Sequence, residues 1–260
     1  MPLNEAENMD EIAARLDTAR RTRCAIASFS DGHPPIDLDL ELGYRVQRHR
    51  RRGRPVAGWK LALTSRAKQR QVGVDTPLYG FLDAADGLNL GQPVPTRSLI
   101  APRAEPEIVF TLGEDLAGPC VTSADVLAAT AAVAAGIEVL DSRYQDYRFT
   151  AADLAADNVS AGRYVVGPPH SPRGVALDLI GAVLTKNGEV IDTAAGAAVM
   201  GHPAAAVAWL VRRLHMDGES GLRRGEVIFS GGLTSAVPIA TGDTITIALG
   251  HLGSIVLACD

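Results

Sequence analysis

Arg103-Ala104-Glu105-Pro106-Glu107-Ile108-Val109-Phe110 reads as an extended strand with two unlike faces. Residues two apart in a strand point to the same side. Glu105 and Glu107 therefore face one way, while Pro106, Ile108 and Phe110 face the other and are predicted to pack. Two carboxylates side by side next to a core repel each other and need a compensating cation, either a metal or an Arg or Lys. Carboxylate oxygens gathered around a hard cation are the chemistry of Mg²⁺ or Mn²⁺. A third carboxylate, Glu138, stands in Gly136-Ile137-Glu138-Val139-Leu140-Asp141-Ser142-Arg143, among apolar neighbours where a lone charge is costly. Asp141 and Arg143, directly after it, are expected to form an internal ion pair. An exposed strand edge explains Glu-x-Glu alone more often than a metal does; Glu138 brings the two explanations level.

Other segments carry chemistry only in company. Lys60, in Gly58-Trp59-Lys60-Leu61-Ala62-Leu63-Thr64, interrupts an apolar strand pattern. It is either a strand-end lysine with a snorkelled head or a cation facing a carboxylate substrate and managing a proton. Ala156-Asp157-Asn158-Val159-Ser160-Ala161-Gly162 is a plain turn or a loop presenting Ser160 and backbone N–H groups to an anion. Ser230-Gly231-Gly232-Leu233-Thr234 follows a strand and lets backbone approach a ligand closely.

Around these segments the pattern is mixed. Ile12, Ala13, Leu16 and Ala19 fall at helical spacing. Asp31-Gly32 and Pro34-Pro35 mark a loop. Asp37 is predicted to cap a second helix bearing Leu38, Leu42 and Val46 and stopping near Gly53. Its basic end (Arg45, Arg48, Arg50, Arg51, Arg52, Arg54) reads as a solvated helix terminus suited to the dipole rather than a phosphate or nucleic-acid patch. Strands are predicted at 56–63, 105–112 and 137–140, and a helix from Thr122 or Ser123 to Gly136 carrying Val126, Leu127 and Val133. Asn187-Gly188 joins strands 177–185 and 189–193 in a type I′ hairpin. Pro203 opens a helix with Val207, Leu210, Val211 and Leu214 that stops at Gly218, with His202 at its start. Strands at 227–230, 244–249 and 254–258 close the chain. The mixed order favours α+β over a doubly wound sheet, with a helical N-terminal region (1–55) leading into one catalytic unit (56–260).

Length and charge narrow the classes. The chain has 260 residues, is 47% apolar and carries a net charge of -5, which argues against nucleic acid as a partner. Cys24, Cys120 and Cys259 have no metal spacing and read as reduced, mostly buried thiols of a cytoplasmic protein. The acidic N-terminus reads as no signal peptide, and no run reaches the ~18 apolar residues of a membrane helix. The six histidines lack zinc spacing, and hydrolase-triad and nucleotide-loop motifs are absent.

Taken in order, residues 58–65, 73–82, 105–110, 138–144, 156–160, 201–203, 230–237 and 252–254 resemble the 2-oxopent-4-enoate hydratase and 4-oxalocrotonate decarboxylase family, within the fumarylacetoacetate-hydrolase-like fold. The resemblance runs from about Leu42 to Leu257. It implies a rolled mixed β-sheet with peripheral helices, metal ligands Glu105, Glu107 and Glu138 for Mg²⁺ (or Mn²⁺), and Lys60 as the active-site lysine. It also implies a homo-oligomer, with association with a related family member as a further expectation. Within the family, Gly73-Val74-Asp75-Thr76-Pro77-Leu78-Tyr79-Gly80-Phe81-Leu82 is similar to the decarboxylase version, since hydratases typically carry an acidic residue where Leu78 stands. Trp59, Val159 and Ala135 depart from the usual pattern. The expected activity is decarboxylation of a 2-oxo-3-enedioate to 2-hydroxypenta-2,4-dienoate through a metal-bound dienolate. Leu78, Ser160, Gly232, Leu233 and Thr234 are expected at the substrate, a small 2-oxo acid. The alternatives are the hydratase and, in another class, a non-catalytic partner subunit.

Overall fold

The computed structural model describes residues 5–31, 36 and 38–260. Helix α1 (Glu5–Thr22) buries Ile12, Ala13, Leu16 and Ala19, as their spacing predicts. Helix α2 (Leu40–Arg51) lies against it, and Leu42 and Val46 join Ile12, Leu16, Phe29 and Tyr144 in one apolar cluster. Asp37, together with Gly32, His33, Pro34 and Pro35, lies outside the described residues. Asp39 caps α2, its carboxylate accepting from Leu42 N at 2.7 Å.

The basic end of α2 is not merely solvated. Arg50 is buried and donates to Asp17 and to Ala156 O. Arg51 pairs with Glu219 and sits over the Trp59 ring, and Arg54 pairs with Asp83. A buried guanidinium needs acceptors more than a helix dipole, and these arginines tie the helical lead-in to the sheet.

The sheet elements follow as β1 (Val56–Ala62), α3 (Arg66–Val72), β2 (Leu78–Asp83), β3 (Gly87–Leu88), β4 (Arg103–Leu112), α4 (Ser123–Ala129), β5 (Thr130–Leu140), α5 (Ala151–Ala156) and β6 (Ala161–Val166). The chain continues with β7 (Gly181–Lys186), β8 (Glu189–Ala195), α6 (Pro203–Met216), β9 (Val227–Phe229), β10 (Val237–Pro238), β11 (Thr244–Leu249) and β12 (Gly253–Ala258). An eight-stranded mixed sheet runs β2-β1-β9-β4-β5-β6-β3, with β10 also on β4; a four-stranded sheet runs β12-β11-β7-β8. The fold is thus α+β with a mixed sheet. Among the described residues no helix is long and apolar enough to cross a membrane.

Register decides which side chains meet. Glu105 pairs with Glu138, Val109 with Phe229, and Phe229 with Lys60. Lys60, Glu105, Glu107 and Glu138 therefore share one face of the large sheet. The opposite face carries Trp59, Leu61, Ile108, Phe110, Ile137, Val139 and Ile228 into the main core, where α6 packs with Val207, Leu210, Val211 and Leu214.

Several expectations are corrected. The helix predicted from 122 or 123 to Gly136 stops at Ala129, where Thr130 Oγ1 donates to Val126 O at 2.6 Å. The alanine-rich run that follows is strand β5, paired with β4 along its length. Alanine's helix propensity is overridden because the run is paired with β4 from Thr130 to Leu140, a tertiary pairing that local propensity does not see. A Cβ at Gly136 would lie 2.4 Å from Val109 Cγ2. The hairpin strand predicted at 177–185 begins at Gly181, after a 3₁₀ turn over Leu177–Leu179; Asn187 and Gly188 form the expected turn, with φ 54° and 86°. Cys24 and Cys120 are exposed in a loop and a turn, and Cys259 alone is buried, just past β12 where it bridges to Val94. The expected Asp141–Arg143 ion pair gives way to Arg143–Asp157, because the Asp141 carboxylate is already engaged by Ile100 N and Ala101 N at 2.8 and 2.9 Å.

Candidate active site

One oxygen from each of Glu105, Glu107 and Glu138 lies within 4.8 Å of the others. The three are 8%, 0% and 1% exposed, so their mutual repulsion is not relieved by water. Burial, then Glu138 and Glu105, push the Glu107 carboxyl well above the usual carboxylate range. Burial likewise raises Glu138, against the pull of Lys60. Glu107 Oε1 and Glu138 Oε2 face no hydrogen-bond donor. Buried anionic oxygens without donors, converging from adjacent strands, fit a single hard divalent cation, which Glu105, Glu107 and Glu138 would hold.

Lys60 is fully buried beside them. Its Nζ lies 2.9 Å from Glu138 Oε1 and donates to Val159 O at 2.7 Å. That carbonyl is aimed by an unusual turn: Asn158, Val159 and Ser160 adopt positive φ of 51°, 52° and 56°. The left-handed conformation costs roughly 1–2 kcal/mol per residue, and a β-branched valine is poorly suited to it. Surrounding contacts hold it. The Asn158 amide donates to Phe81 O and accepts from Phe81 N, each at 2.9 Å, and Asp141 N donates to Ser160 O at 2.8 Å. Beneath the turn, Arg143 donates to the Asp157 carboxylate and to Asp157 O, Asp141 O and Ala161 O. Ser160 is 2% exposed, and its Oγ has no partner. Strain locked in by a buried network is a feature of functional sites.

The glycine pair approaches the carboxylates themselves. Gly231 N donates to Glu107 Oε2 at 2.6 Å, and a Cβ on Gly232 would lie 2.2 Å from Glu105 Oε2. Sequence reasoning missed Lys68. From α3 its Nζ meets Glu105 Oε1 at 2.9 Å and Gly232 O at 3.3 Å. It sits in the exposed-looking run Arg66-Ala67-Lys68-Gln69-Arg70, where nothing sets it apart from its neighbours.

Beside these groups is a cavity of about 240 Å³, lined by the polar Lys60, Lys68, Arg103, Glu105 and Ser160 and by the apolar Leu63, Val72, Leu140, Phe149 and Leu154; Glu107 and Glu138 are not among its described lining residues. Gly232 lines it too, whereas Leu78, Leu233 and Thr234 are not among its described lining residues. Leu78 pairs opposite Ala62, which does line the cavity, and is itself fully buried. Leu233 N donates to Pro106 O, and Thr234 Oγ1 donates to Ser235 O. His202 caps α6, its Nδ1 accepting from Ala204 N, as expected of a helix-start residue.

No family model matches the chain. Curated and solved proteins do. A 4-oxalocrotonate decarboxylase of Pseudomonas sp. (strain CF600) is 40% identical over 94% of this chain and 94% of its own length. A 2-hydroxyhexa-2,4-dienoate hydratase of Comamonas testosteroni is 38% identical over 97% of each. The solved 4-oxalocrotonate decarboxylase of Pseudomonas putida G7, complexed with magnesium and adipate, superposes with a TM-score of 0.92 at 37% identity, covering 98% of both chains. Fumarylacetoacetate hydrolase from Exiguobacterium antarcticum, 13% identical, matches with a TM-score of 0.61 over 80% of this chain and 76% of its own, a likeness of fold alone. The fold is that of the fumarylacetoacetate-hydrolase-like class. Within it, the chain belongs to the 4-oxalocrotonate decarboxylase and 2-keto-4-pentenoate hydratase family of lyases.

Proposed function

We propose that the chain is a divalent-cation-dependent decarboxylase of a six-carbon 2-oxo-3-enedioate, releasing CO₂ and 2-hydroxypenta-2,4-dienoate. The observation that carries this is the acidic trio with Lys60 beside it, of which Glu105 and Lys60 line a cavity that also has apolar residues in its wall. The likeness to a decarboxylase solved with magnesium and a six-carbon diacid supports it. Glu105, Glu107 and Glu138 would hold a Mg²⁺ or Mn²⁺ ion, which would supply Lewis-acid chemistry for the 2-oxo acid end of the substrate.

The chain's own groups do the rest. The bond to the distal carboxylate breaks, and its electron pair moves through the 3,4-double bond to the 2-oxo oxygen. Lys60, held by Val159 O and Glu138, stabilises the charge arriving there and delivers the proton that makes the enol. A carboxylate leaving as CO₂ loses its charge, so the apolar wall of Leu63, Leu140, Phe149 and Leu154 favours the neutral product over the anion. Hydration instead needs a base for water. Among the described lining residues Glu105 is the only acid, paired with Lys68, and there is no histidine.

Residues exposed around the small sheet, Leu179, Val190, Ile191 and Val256, support a homo-oligomer as part of the same proposal. The free thiols Cys24, Cys120 and Cys259 accord with a cytoplasmic location. The test is turnover by the purified chain alone. With 2-oxohex-3-enedioate and Mg²⁺, CO₂ release is expected, suppressed at least about a hundredfold by excess EDTA and restored by Mg²⁺. Release indifferent to EDTA contradicts the proposal. So does hydration of 2-hydroxypentadienoate without CO₂ release.

A further inference from the structure

Among the described lining residues, Arg103 is the one cation not explained by the acidic trio. Lys60 and Lys68 both face its carboxylates. Arg103 has no described carboxylate partner; its guanidinium lies 3.9 Å over the Tyr147 ring and lines the cavity. The ring is a fixed platform. Asp146 and Tyr147 adopt φ of 54° and 57°, and the Tyr147 hydroxyl donates to Ala101 O at 2.9 Å. A guanidinium placed over the face of an aromatic ring keeps N–H groups free for a planar anion.

The register sets the reach. Arg103 is two residues from Glu105 on the same face of β4, and its cross-strand partner Leu140 is two from Glu138. Two residues along a strand span roughly 6.6 Å. An extended six-carbon diacid spans roughly 6 Å between its carboxyl carbons, from five C–C bonds of about 1.5 Å.

We propose that Arg103, stacked on Tyr147, recognises the distal carboxylate of a six-carbon 2-oxo diacid and so sets the chain's preference for diacids over monoacids. This rests on the decarboxylase reading of the site. The contact is made in the bound substrate and weakens as the carboxylate departs as neutral CO₂. Arg103 therefore contributes to binding and does not assist the chemical step, so its removal leaves kcat unchanged or higher.

The test is calorimetric binding to the Mg²⁺-loaded chain of two probes that differ only in the distal group, 2-oxohexanedioate and 2-oxohexanoate. Arg103→Gln is expected to weaken the diacid about tenfold to a hundredfold, the loss of one charge-assisted pair, and to leave the monoacid within about twofold. Arg103→Lys is expected to recover part of the diacid affinity. In turnover, Arg103→Gln raises KM without lowering kcat. Equal weakening of both probes, or no weakening of the diacid, overturns the assignment. Wild-type chain that binds the probes but releases no CO₂ instead defeats the decarboxylase reading, with the probe ratio still measurable.

Discussion

Lys60→Ala is expected to lower kcat for CO₂ release about a hundredfold to a thousandfold, the usual cost of removing one donor aimed at a developing oxyanion. Lys60 is fully buried, and Nζ sits between Val159 O at 2.7 Å and Glu138 Oε1 at 2.9 Å. The loss belongs to kcat, because the charge Lys60 answers develops only as the carbon–carbon bond breaks. The same substitution leaves Glu138 buried without its cation. Breaking a buried pair costs roughly 3–5 kcal/mol, so in EDTA the variant is expected to unfold at clearly lower denaturant than wild type. Mg²⁺, supplying the missing charge, is expected to close most of that gap. Activity within tenfold of wild type would show that Lys60 is a structural counter-ion only.

Asp157→Asn is expected to destabilise the fold by roughly 3–5 kcal/mol, or roughly 10 °C in Tm. Asp157 is 0% exposed and meets Arg143, which is 2% exposed, with Arg50 3.9 Å away. Removing the carboxylate leaves two guanidinium groups facing each other in the interior. The left-handed turn over Asn158–Ser160, which aims Val159 O at Lys60 and Ser160 into the cavity, then loses the Arg143–Asp157 support beneath it and keeps the Asn158–Phe81 and Asp141–Ser160 hydrogen bonds. Activity is therefore expected to fall further than the folded fraction does. Thermal unfolding and kcat of the folded protein, measured side by side, check both halves. A variant with wild-type Tm would mean that the arginines find other acceptors.

The acidic face was legible because strand periodicity is local: Glu105 and Glu107 had to point together, and Ile108 and Phe110 away. That Glu138 lies directly across from Glu105 depends on register between strands, which no local pattern carries. Helix β-strand competition hid β5, since its alanines favour a helix until a neighbouring strand offers pairing. The left-handed turn carried no signal, because glycine usually marks such a conformation and here Asn158, Val159 and Ser160 adopt it. Arg143 was paired with the nearest acid in sequence, but its partner Asp157 is fourteen residues away. Lys68 and Arg103 were equally silent: each matters through what the fold sets beside it, a carboxylate for one and an aromatic ring for the other.

Titration of the cation-free chain with Mn²⁺ tests the acidic trio directly. Glu107 and Glu138 have raised pKa values in the cation-free fold, through burial before all else. Each therefore favours the fold in its protonated form, a contribution present at low pH and lost as pH rises through the folded-state pKa. A cation must displace those protons. One saturable site per chain is expected, with protons released on binding, affinity falling as pH falls, and the site abolished in Glu107→Gln. No saturable binding, or binding untouched by Glu107→Gln, would contradict the assignment of Glu105, Glu107 and Glu138 as a cation site.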